Sequence, residues 1–255
     1  MNVTLLAVLV ALSMAAATIL ALEIGRRFGA RRGVKGETEA LVALEGAVYG
    51  LMGLLIGFTF ATSAGRFDHR LDLFSQEANA IETAYLRTDI VEPGHQARLR
   101  EDLRHYLNAR VDVFELLPDV AASDRSAAQA RSLQTDLWQD AVTATQHSSP
   151  ADRALVLSSM NEAFDTASTR DVFFNTHPDR SIFILLGVAI VGSAVLAGYG
   201  MGVKQTRSWL HVLSFVLLTT AAVFVILAIE FPRTGFIRVD AQEEALVELQ
   251  MKMAP

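Results

Sequence analysis

Residues 46–87 read GAVYGLMGLLIGFTFATSAGRFDHRLDLFSQEANAIETAYLR, an apolar helix that runs without a break into a charged amphipathic one. In the apolar half the glycines fall at Gly46, Gly50, Gly53 and Gly57, spaced by four, three and four residues. At 100° per residue they lie within about 60° of one another, so one side of the helix is bare backbone. In lipid, apolar side chains gain nothing by leaving hydrocarbon, and close packing of small residues draws helices together. The stripe predicts helix packing and an assembly of copies.

Working outward, the composition fits a membrane protein with a substantial polar portion. Hydrophobic residues make up 51% of the 255 residues and charged residues 20%, and the two kinds are segregated along the chain. Val3 to Leu22, Ile182 to Val203 and Trp209 to Ile229 contain no Asp, Glu, Lys or Arg. Each is long enough to cross a hydrocarbon core of about 30 Å. With the opening stretch they make four predicted spans. The charges of the first follow its apolar run, which marks a retained helix and not a cleaved signal.

The intervening polar region has the pattern of a helical bundle. Leu71, Phe74, Ala78, Ile81 and Tyr85 carry the three-four spacing beyond the membrane. Pro93-Gly94 breaks the chain, and a helix from about His95 to Leu117 carries Leu99, Leu103, Tyr106 and Val113 before Pro118 stops it. A third helix is expected from about Asp124 to His147 behind Ser123 as N-cap, burying Leu133, Leu137, Trp138 and Val142. A fourth opens at Ser149 with Pro150 in its first turn and continues to about Phe174. No alternating β-branched run competes, so the fold class is expected to be all-α: four transmembrane helices with a helical extramembrane domain inserted between the second and third. The expected divisions are 1–65 for the first two spans and their basic loop, 66–180 for the helical domain, 181–230 for the last two spans and 231–255 for the tail.

Charge bears on orientation and partners. Arg26, Arg27, Arg31, Arg32 and Lys35 follow the first span, and Lys204 and Arg207 follow the third. Short basic loops stay in the cytoplasm, which puts the 66–180 domain outside, although Arg66, Arg70, Arg180, Arg233 and Arg238 flank spans on that other side. The domain holds 12 Arg, no Lys and 19 Asp or Glu, a balance that argues against a nucleic-acid partner.

No chemistry of an enzyme is visible. The chain has no cysteine, no Gly-rich phosphate loop, no nucleophile elbow and no paired His on a helix face, so neither cofactor nor metal is expected. His69, His95, His105, His147, His177 and His211 have no ligand spacing. Arg66 with Arg70 and Asp68 with Asp72 read as solvated helix faces. Coupled transport usually needs an ionisable group or a broken helix inside the membrane. Glu45 and Glu230 stand only at span ends, where snorkelling or capping is the ordinary role. What remains for solute is a pore between subunits. Phe58, Thr59, Phe60, Thr62 and Ser63 occupy the inner end of the second span, where rings gate by dewetting and hydroxyls solvate an ion. Gly187, Ala194 and Gly198 form a small-residue stripe on the third span that would take up the glycines of the second as packing residues.

At this point the residues carry a resemblance. LLIGFTFATSAGRFDHRLDLFSQEANAIETAYLR at 54–87, EIGRRFGARRG at 23–33, LAGYGMG at 196–202 and FPRTGFIRV at 231–239 together resemble the bestrophin-like family of bacterial membrane proteins. That family is similar, more distantly, to bestrophins, pentameric anion channels whose second helix lines the pore. The resemblance implies a multi-pass protein of the bacterial inner membrane that forms a homo-oligomer, a pentamer by analogy. It also implies a passive path for chloride or other small anions. The matching pore positions are Gly57-Phe58 and Arg66-Phe67, with Asp68 where bestrophins have a second aromatic, and no acidic calcium clasp is present. Bestrophins keep the large domain in the cytosol, against the charge reading. The alternative function is a non-conducting scaffold or sensor whose helical domain binds a partner.

Overall fold

A computed structural model of the chain describes residues 3–32, 38–116, 119–176, 178–205, 208–230 and 240–254. Lys35, Pro118, His177, Arg207 and the FPRTGFIRV segment, with Arg233 and Arg238, lie outside the described residues. The helices are α1 (Val3–Arg32), α2 (Thr38–Arg87), α3 (Pro93–Glu115), α4 (Val120–Ala144), α5 (Pro150–Asn175), α6 (Arg180–Val203), α7 (Trp209–Glu230) and α8 (Asp240–Lys252), with a 3-10 turn at Thr88–Ile90. No strand occurs among the described residues, as the missing alternation predicts. α1, α2, α6 and α7 are long and apolar enough to cross a membrane. The chain forms two compact units: an apolar one of Met1–Phe67 with His177–Ile237, and a polar one of Asp68–Thr176 with Arg238–Pro255.

In the apolar unit, α1 and α6 meet through a pair of glycine notches. A methyl group on Gly198 would fall on the Leu22 carbonyl, and one on Gly202 on the Arg26 carbonyl. Reciprocally, Gly25 is covered by the Val195 carbonyl and Gly29 by the Tyr199 carbonyl. The contacts advance in the same direction on both helices, so the pair runs parallel. Spacing of four places each glycine pair on one helix face, the small-xxx-small arrangement that lets backbones touch in lipid. Ala21, Leu22, Ala194, Val212 and Val216 pack beside it. A second cluster of Met52, Leu186, Ile190, Val223 and Ile226 joins α2, α6 and α7. α1 is therefore an integral part of the unit's packing.

The polar unit follows its apolar periodicity. Phe74, Ala78 and Ile81 of α2, Leu99, Leu103, Tyr106 and Val113 of α3, and Leu137 of α4 are all buried in one core. Ser149 caps α5 by accepting from Asp152 N at 3.1 Å, as expected. The other cap differs from expectation. α4 begins behind Asp119, whose carboxylate accepts from Ala122 N, and Ser123 instead donates to the Val113 carbonyl at 2.6 Å, tying α4 to α3. A carboxylate at the helix start also complements the helix dipole, which explains the earlier boundary. Trp138 is 39% exposed, because Ala130, Leu137, Ala141 and Ala144 form the side of α4 that faces the core.

Charge enters this core. Glu77 and Arg170 are completely buried and Arg110 nearly so. Arg110 Nε donates to Glu77 Oε1 at 2.6 Å, and its two terminal nitrogens grip Asp171 at 3.0 and 2.8 Å. Arg170 Nη1 lies 2.8 Å from Glu77 Oε2, with its guanidinium against the rings of both Phe114 and Phe74, at 4.3 and 4.6 Å. Desolvation by this burial pushes Arg170 down to about 10, while Glu77 and Asp171 hold Arg110 above its ordinary range. Burial likewise pushes the Tyr106 phenol up to about 12. The tail returns to the same unit: Leu246 and Leu249 of α8 and Met253 just after it are buried, and Arg104 Nε donates to the Met253 carbonyl at 2.7 Å.

Candidate conduction face and its surroundings

α2 presents two unlike sides within the apolar unit. One side holds Met52 and Ser63, both buried, with Ile56 and Thr59 half-buried at its edges. The other holds Gly46, Gly50, Leu54, Gly57, Phe58, Ala61 and Gly65, all exposed. Methyl groups added to Gly46, Gly50, Gly53 or Gly57 would meet nothing within 4 Å. The expected seating of these glycines on the first or third helix of the same chain is thus absent. Gly187 is equally open, whereas Ala194 and Gly198 are buried. The reason is competition: α6 gives its small-residue stripe to α1, through Gly25 and Gly29. These glycines were missed by sequence reasoning, although GRRFG and GYGMG, each with glycines four positions apart, carried the signal.

The pore candidates divide. Phe58, Thr59 and Thr62 line a cavity of about 250 Å³ together with Ile182, Phe183 and Leu186 at the start of α6. Phe60 is not among its walls; two residues along a helix turn the side chain by about 200°, so Phe58 and Phe60 point to opposite sides. Phe58 is 63% exposed and Phe60 44%. The Thr59 hydroxyl donates to its own helix at the Leu55 carbonyl, 2.7 Å away, and keeps only acceptor capacity for a solute.

Arg66 differs from the solvated residue its spacing suggested. Its Nε lies 3.3 Å from Glu230 Oε1, with Glu230 fully buried at the end of α7. Glu230 is therefore an internal counter-charge and not a snorkelling or capping group. The pair fixes α2 to α7 within the unit and weakens the field that Arg66 alone would present to an anion. Arg70 departs further from the reading of a wet face: it is 1% exposed, with its guanidinium over the Phe174 ring at 5.7 Å. No group of three or more metal-ligating side chains occurs among the described residues.

The sequence matches the Bestrophin-like domain over residues 7–243. The chain belongs to the bestrophin-like family. No curated protein matches this bestrophin-like chain by sequence. Among solved structures it is similar to crystal structures of a bacterial bestrophin homologue from Klebsiella pneumoniae. A tyrosine-to-alanine variant is 13% identical, with 96% of this chain and 98% of the homologue covered and a TM-score of 0.67. The form solved by Zn-SAD phasing gives 13%, 96%, 98% and 0.64. At that identity the likeness extends to the fold.

Proposed function

We propose that this bestrophin-like protein assembles into a homo-oligomeric, passive channel for small anions in the bacterial inner membrane, with α2 beside the path. One observation carries the reading: the uncovered side of α2 concentrates Gly46, Gly50, Gly57, Ala61 and Gly65 beside Phe58, with Leu51 and Leu54 as the large aliphatics among them. Lipid-facing helix sides in the same unit look different, since α7 exposes Leu210, Leu213, Leu217 and Leu218. A glycine-alanine side suits a neighbouring helix or a water-filled path better than acyl chains. Copies arranged about a common axis, five by analogy with bestrophins, would satisfy both needs. Phe58, near the middle of the bare side, then serves as the hydrophobic constriction, with Thr62 and the Arg66–Glu230 pair further along. Purified oligomer in a planar bilayer is expected to show discrete conductance that Phe58→Ala raises severalfold. Silence from a well-folded oligomer would favour the scaffold reading.

The basic loops favour the periplasm for the polar unit, whereas a bestrophin topology would put it in the cytoplasm. Ser132 is exposed on α4 and makes a fair reporter of sidedness. Ser132→Cys is expected to react with an impermeant maleimide in spheroplasts, and reaction only after membrane breach would assign the unit to the cytoplasm.

A further inference from the structure

The apolar unit contains a second cavity, unrelated to the Phe58 region, at the opposite ends of its helices. It measures about 370 Å³ and lies among the end of α1 at Leu22, the start of α2 at Glu45 and Tyr49, the end of α6 at Gly200 and Lys204, and the start of α7 at Ser208 and His211. That volume is in the range of small-molecule sites. Its lower walls are apolar, with Leu22, Met201, Val212 and Phe215. Its upper wall carries a carboxylate, an ammonium and an imidazole.

These charges meet in no contact ion pair among the described residues, although Lys204 attracts Glu45 through space. Glu45 Oε1 is buried against Gly200, where a methyl group would displace it, and has no hydrogen-bond partner among the described residues. Neither Glu45 nor Lys204 enters an ion pair among the described residues, although both line the same cavity. His211 Nδ1 is engaged by the Ser208 hydroxyl at 2.6 Å, which orients the ring and directs Nε2 elsewhere. A buried carboxylate without a donor is costly, and a cation opposite it removes that cost. Lys204 and His211 are exposed at the edge of the cavity and offer donors to an anion. The occupant must therefore join an N–H cation to an anion over a short distance and carry an apolar part.

Position decides the class. The cavity sits where four predicted spans begin or end, on the side of the basic Arg26, Arg27 and Arg31, so it opens at headgroup depth among positive charges that draw phosphate. We propose that it is a headgroup site for an aminophospholipid, whose phosphoethanolamine ammonium faces Glu45 while the phosphate faces Lys204 and His211. Gly200 is the device that lets the Glu45 carboxylate reach its place.

The test uses the full chain, delipidated in detergent and read by native mass spectrometry with phosphatidylethanolamine, phosphatidylcholine or phosphatidylglycerol added. Phosphatidylethanolamine should be retained about tenfold more strongly than phosphatidylcholine, which has the same phosphate but no N–H. Glu45→Gln should erase that preference, and Lys204→Met should weaken both lipids. Equal retention of the two by the unaltered protein would overturn the proposal without any variant having to fold. Stronger retention of phosphatidylglycerol would overturn the ammonium assignment, and equally strong binding of soluble phosphoethanolamine would overturn the lipid.

Discussion

Glu77→Gln destabilises the polar unit by about 3–5 kcal/mol, the ordinary cost of removing one partner from a buried ion pair. Two arginines depend on this carboxylate, Arg110 at 2.6 Å and Arg170 at 2.8 Å. Asp171 pairs in contact with Arg110 and acts on Arg170 only from a distance, so an amide at position 77 leaves the Arg170 guanidinium with aromatic faces and no carboxylate in contact. The amide also turns an N–H toward donors. Thermal unfolding followed by the helical signal of the purified protein should show the loss. Adding Arg170→Met, which restores charge parity and fills similar volume, should recover part of it. A single variant that melts with the parent would refute the network's role.

Gly198→Val has a comparable expected effect through packing alone. Its Cβ would occupy the position of the Leu22 carbonyl, and backbone does not yield as a side-chain tip does. Overpacking typically costs about 1–3 kcal/mol and more where backbone must move. α1 and α6 would have to separate, exposing Ala194 and Leu22. The monodisperse fraction on size exclusion in detergent should fall sharply. Gly187→Ala is the matched control, since nothing lies within 4 Å of a methyl group there. Equal behaviour of Gly198→Val and the parent would sink the notch model of this interface.

The spans, the breaks at Pro93 and Ser149 and the core side of α3 were legible because each is written locally, in apolar length, proline or period. Arg70 and Glu77 were not. A buried charge and a wet one have the same helical spacing, and only the partners from α3 and α5 distinguish them. Gly46 to Gly57 showed the opposite limit. Their spacing announces a bare helix side, but which neighbour uses it depends on competition, and α1 had already taken the stripe of α6. The Arg66–Glu230 pair joins residues 164 apart in the chain, beyond any local pattern. The cavity at Glu45 is likewise a meeting of four helix ends, each unremarkable when read singly.

The position of α8 sets an order of events during synthesis. The polar unit leaves the chain at Thr176 and resumes only at Arg238, after α6 and α7. While the ribosome is making those two helices, the surface of α3 that receives Leu246 and Leu249 stands open to water, and Arg104 lacks the Met253 carbonyl. The polar unit is therefore completed last, after the helices of the apolar unit have been made. A chain whose last hairpin fails to integrate would keep that apolar surface uncovered, where proteases and chaperones can recognise it.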